Sequence, residues 1–187
     1  ATFVYIILGV HAVLLGSSIL SKEERDKTVE FLMTLPVSRQ KVVAGKAIAA
    51  AANCVILLGV TWGVLLASIV KYEPDQSFYK LLGALATASI ILQILFLSIG
   101  MLMASILKRY KRSGSVSVSI LLVSYFLSVL IGFSDKIGFL KYITPFKYFE
   151  TVYLLNENRL EGIYVLISLC IILLATVGTF VLYRKRD

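Results

Sequence analysis

Few side chains in this sequence could do chemistry. Glu23 and Glu24 are adjacent and lie just beyond an apolar run. Paired glutamates beside a membrane suit metal-assisted hydrolysis in a Glu-Glu-x-x-x-Arg arrangement with histidine ligands. Here position 28 is Thr28, and His11 is the sole histidine. A lone imidazole more often bonds a neighbouring helix than holds a metal, and no Cys/His spacing suits zinc. Cys54 and Cys170 each fall inside an apolar run, where a thiol packs as a small hydrophobe. The chain has no G-x-x-x-x-G-K-S/T loop, so it does not cradle ATP by that route. It reads as a non-catalytic protein with no metal site.

The elements that carry these residues are apolar. Hydrophobic residues make up 58% and charged residues 16% of the 187 positions, and the mean hydropathy is +0.87. Globular chains are nearer a quarter charged, so the sequence is that of an integral membrane protein. Five runs are long enough to cross the hydrocarbon core as helices, which takes about 20 apolar residues. They predict spans over 1–20, 43–70, 80–107, 114–134 and 162–183, with polar segments at 21–41 and 135–161. A β-barrel would show alternating segments of about ten residues, so the fold class is an all-α polytopic transmembrane helical bundle.

Lys and Arg gather on the cytoplasmic side of short loops. Thirteen of the 19 lie in 21–46, in the "KRYKR" cluster at 108–112 and in the tail, and six lie on the other side. This places the 21–41 loop and the C-terminus in the cytoplasm and Ala1 outside, so one further span is expected before Ala1, giving six. The net charge of +8 follows from this topology and from contact with anionic membrane lipid, without nucleic acid.

The 21–41 stretch, "SKEERDKTVEFLMTLPVSRQK", reads as a short amphipathic helix. Ser21 followed by Glu24 fits a capping box, and Pro36 disfavours helical geometry at Leu35. Thr28, Phe31, Leu32 and Leu35 recur at spacings of three and four, while Glu23, Asp26, Lys27 and Glu30 lie largely to the other side. Helices that rest on a bilayer usually carry a basic polar face, and this one is mostly acidic, which favours a protein partner.

At this point the residues resemble a family. "GSSILSKEERDKTVEFLMTLPVSRQKVVAGK", with Gly16, Glu23, Glu24, Thr28, Glu30, Leu32, Pro36, Ser38, Arg39 and Lys46, is similar to the loop between the second and third spans of bacterial ABC transporter type-2 permeases. "LKYITPFKYFETVYLL", 140–155, is similar to the outer segment those permeases carry before their last span. Lys27 departs from the Gly that many relatives have before the Thr. The resemblance implies an exporter subunit in the bacterial cell membrane, paired with a second permease copy or paralogue and with ATP-binding subunits that hold ATP and Mg. It implies that the loop is a coupling helix, with Phe31, Leu32 and Leu35 as apolar contacts, Glu23, Glu24 and Glu30 as charge partners and Arg39 as an anchor. It also implies that Pro145, Phe146, Tyr148 and Phe149 belong to short helices over the outer end of the path. The same aromatics would suit a passive anchor at the membrane–water boundary.

Polar residues inside spans are candidates for a translocation path: His11, Asn53, Gln93, Ser117, Ser124 and Ser128. Ser113, Ser117, Ser124 and Ser128 fall near one helix face, where tight packing is the competing role. Gly59 and Gly63 form a G-x-x-x-G pair suited to a helix contact. The rival functional class is a membrane protein without an ATPase: a channel, a secondary transporter or an assembly scaffold.

Overall fold

The computed structural model describes residues 2–26, 38–72, 75–107, 109–133, 141–149 and 162–184. Among these residues there is no strand, and the chain is an all-α bundle. Helix α1 is Thr2–Asp26, α2 Arg39–Val70, α3 Gln76–Ile106, α4 Tyr110–Phe133, α5 the single turn Pro145–Tyr148, and α6 Gly162–Arg184. All but α5 are long and apolar enough to cross a membrane. Successive long helices reverse direction, so α1, α3 and α6 run one way and α2 and α4 the other. Lys22, Arg109, Lys111, Arg112 and Arg184 therefore share a basic end, opposite an end rich in aromatic side chains.

Helix α3 is the centre. It packs on α1, α6, α4 and α2, and it buries Leu92, Leu95 and Phe96 completely. Association in lipid relies on close van der Waals contact, because lipid tails are as apolar as leucine. The α1–α3 crossing shows this at Gly16 and Gly100. A Cβ on Gly16 would lie 2.4 Å from the Leu97 carbonyl oxygen, and one on Gly100 would lie 2.4 Å from that of Val13. Each glycine thus admits the other helix's backbone. A Cβ on Gly59 or Gly63 of α2 would meet no atom of another described element within 4 Å. Their motif faces outward from the most exposed helix of the bundle.

Side chains at two helix starts make local hydrogen bonds. Ser38 caps α2, its Oγ accepting a hydrogen bond from Lys41 N at 3.4 Å, so α2 begins before its apolar run. In the first turn of α3, Ser77 Oγ donates to Oδ2 of the preceding Asp75 at 2.6 Å, and this bond holds the exposed Asp75 carboxyl below its usual range.

The capping box at Ser21 is a correction. Helix α1 continues through Ser21 to Asp26, and the fully buried Ser21 donates its Oγ hydrogen to Ser17 O at 2.5 Å. Its hydroxyl is satisfied by the preceding turn, and no Gly or Pro interrupts the chain there, so no new helix starts at Ser21.

Candidate functional site

Of the candidate path residues, Ser117 and Ser124 are buried on α4, which packs on α1, and His11 and Ser128 line cavities between these two helices. Ser113, Ser117, Leu121 and Ser124 are the buried row of α4, and the Leu121 side chain reaches to 3.1 Å from where a Cβ on Gly9 would stand. The Oγ atoms of Ser113, Ser117 and Ser124 are buried without a hydrogen-bond partner. Ser128, one turn beyond, donates to Tyr125 O at 2.7 Å. The serine face is therefore a polar seam inside the chain.

The seam widens into a cavity at each end. At the aromatic end a cavity of about 310 Å³ lies between Thr2 and Tyr5 of α1, Tyr125, Ser128 and Phe133 of α4, and Phe146 and Phe149 of the α5 segment. At the basic end a cleft of about 510 Å³ lies between His11, Ser17 and Ser18 of α1 and Tyr110, Lys111 and Ser115 of α4. Two candidate path residues lie elsewhere. Gln93 is buried on α3 with its Nε2 unpartnered. Asn53 stands exposed on α2, which packs on α1, α3 and α6.

The aromatic end is closed by α5. Pro145 begins this turn, where a residue without an N–H is tolerated. Phe146 enters the bundle, with its ring 5.3 Å from that of Phe96 on α3 and 5.7 Å, edge-on, from that of Tyr125 on α4. Tyr148 stacks on Tyr164 of α6 at 5.0 Å and donates its hydroxyl hydrogen to Tyr142 O. Phe149 is 1% exposed, whereas Tyr142 is 45% exposed. The segment thus divides into an exposed lip and a buried plug. Burial, with a contribution from Tyr164, pushes the Tyr148 phenol up to about 12.

The coupling candidates Thr28, Glu30, Phe31, Leu32, Leu35 and Pro36 lie outside the described residues. Glu23 and Glu24 belong to the last turn of α1 and Arg39 to the first of α2, so the loop is bounded directly by two long helices. Cys54 is buried and Cys170 exposed, and both are free thiols.

Sequence reasoning missed the residues that receive the plug, Phe96, Tyr125 and Tyr164, and the glycine pair of the α1–α3 crossing. A signal for the crossing exists in Gly9, Ala12 and Gly16 on α1 and Gly100 and Ala104 on α3, small residues at helical spacing. The aromatic partners carry no such local signal, because they meet only through the fold.

Five apolar helices, a polar seam and an aromatic plug define a polytopic helical membrane protein. The profile of the ABC-2 family transporter proteins matches residues 1–187, and the chain belongs to that family. It is the transmembrane permease component of an ABC transporter, a family that associates with an ATP-binding subunit and dimerises. Comparison with curated proteins gives no match.

Proposed function

We propose that this permease couples ATP hydrolysis in a separate subunit to export, through the 21–41 loop. ATP and Mg would be held by that subunit, and two permeases, identical or paralogous, would enclose the path. The positive-inside rule supports a cytoplasmic loop, with the plug on the outer side. The observation that carries the reading is the unbroken α1. One helix runs from the plug cavity at Thr2, past the serine seam and the glycine crossing, to Asp26 at the edge of the loop. A displacement at the loop therefore reaches the seam without an intervening hinge.

The seam suits a helix pair that parts. With α1 and α4 packed as here, the Ser113, Ser117 and Ser124 hydroxyls lack partners, and unpaired buried polar groups cost about 1–3 kcal/mol each. Parting of α1 and α4 would let water or substrate satisfy them, which lowers the cost of opening. His11 and Ser128 stand at the two cavities and would border the opened path. Pro145, Phe146, Tyr148 and Phe149 would gate it.

The test is capture of the full-length protein from native membranes in mild detergent, with identification of bound chains, for wild type, Phe31→Asp and Leu32→Asp. The expected result is an ATP-binding subunit that accompanies wild type and is reduced at least about ten-fold by either charge, a loss of roughly 1.4 kcal/mol or more in contact energy. Retention of that subunit by both variants at equal membrane levels would remove the coupling role from this loop.

A further inference from the structure

We propose that the cleft between α1 and α4 at the basic end binds the headgroup of an anionic phospholipid. This inference needs only that the helices cross a membrane and does not depend on the ATP-coupled reading.

The cleft has the graded chemistry of a phospholipid. Lys111, in the first turn of α4, is exposed at its mouth, and Arg109 and Arg112 are exposed beside it. Among the described residues, no acidic side chain lines the cleft. Basic pockets between transmembrane helices select anionic headgroups, and a lysine stem can run along apolar surface while its ammonium stays at headgroup level. Below the mouth come hydroxyls. Ser17 and Ser18 donate their hydrogens to Leu14 O at 3.0 Å and Leu15 O at 3.1 Å, so they keep this level of the wall polar without needing a further partner, as suits the ester-linked glycerol of a phospholipid. His11 lies deepest on α1, about 10 Å from Ser18 at 1.5 Å per residue, and its Nδ1 is buried without a partner.

Two further features favour a lipid over a soluble phosphate. Leu14 and Leu15 line the same cleft and offer an acyl chain an apolar wall. Gly114 keeps the space open, since even a Cβ there would approach only Ser17 Oγ, at 3.9 Å. The phosphate would sit against Lys111, the glycerol against the serines, and one chain along the leucines.

The full-length protein with its bound subunits is placed in nanodiscs of mixed phosphatidylglycerol and phosphatidylcholine, and retained lipids are counted by native mass spectrometry. A photoactivatable phosphatidylglycerol maps the contact. Wild type should retain phosphatidylglycerol preferentially and cross-link within 11–18 and 110–115. Lys111→Gln should weaken retention about five-fold, the effect of roughly one Lys–lipid contact. Lys111→Arg should preserve it, and Lys71→Gln, at the other end, should leave it unchanged. Ser18→Leu, which fills the cleft without removing charge, should also lose it and serves as the second variant if Lys111→Gln is not monodisperse. Equal retention of both lipids, or loss in neither variant, would overturn the site. Displacement of the bound species by excess inorganic phosphate alone would overturn the lipid as occupant.

Discussion

At the scale of residues, position decides what a side chain or its absence contributes. Gly16 and Gly100 have no room for a methyl group, because the nearest atom is a backbone carbonyl that cannot rotate away. Gly16→Ala or Gly100→Ala should cost about 1–3 kcal/mol, the usual range for overpacking. Gly59→Ala, facing open space, should stay within about 0.5 kcal/mol. Thermal unfolding of the purified chain compares the three, and equal effects would show that the crossing is not tight. The sequence contained all four glycines, but only Gly59 and Gly63 matched a named motif. A motif shows that a helix has a smooth patch, not what covers it. Tyr148 offers a second test. Burial favours its neutral form, so its contribution to folding is present below the ordinary phenol value of 10.0 and is lost as pH rises to about 12. Phenolate absorbance of wild type minus Tyr148→Phe should rise near pH 12, and a difference already complete at pH 10 would contradict the burial.

At the scale of elements, α5 is four residues long and docks on the bundle through aromatic side chains. Phe146 anchors it to α3 and α4, and Tyr148 to α6. Phe146→Ala should cost roughly 3–5 kcal/mol of local docking, as large-to-small changes in a core do. The long helices do not depend on it, so the bundle should persist while the cavity beneath opens. A cysteine placed at Ser128 in a background without Cys54 and Cys170 should then react with a water-soluble maleimide at least about ten-fold faster, corresponding to roughly 1.4 kcal/mol of that docking. An unchanged rate would mean that α5 does not seal the cavity. The aromatic residues of this segment were visible in the sequence, but their burial was not, since an interfacial belt and a plug share one composition. The spans were legible from hydropathy. Their ends were not: apolarity marks the edge of the membrane, whereas α1 continues through the polar residues Ser21 to Asp26 because nothing there breaks a helix.

At the scale of the whole molecule, the class of the protein was readable because a membrane permits so few folds. The partition of roles among helices was not. Continuous apolarity looks alike on α3, the most buried helix of the bundle, and on α2, which turns most of its length outward. The serine row could be recognised as a helix face, but its partner, α1, emerged only from three-dimensional contacts. The same contacts give α1 a mechanical character. Gly16 is where its backbone touches that of α3, with ten residues to Asp26 on one side and fourteen to Thr2 on the other. At 1.5 Å per residue these are arms of about 15 and 21 Å. A rigid rod on such a fulcrum returns a push at the short arm as an opposite swing of the long one, enlarged about 1.4-fold. The plug rests beside the end that swings farther.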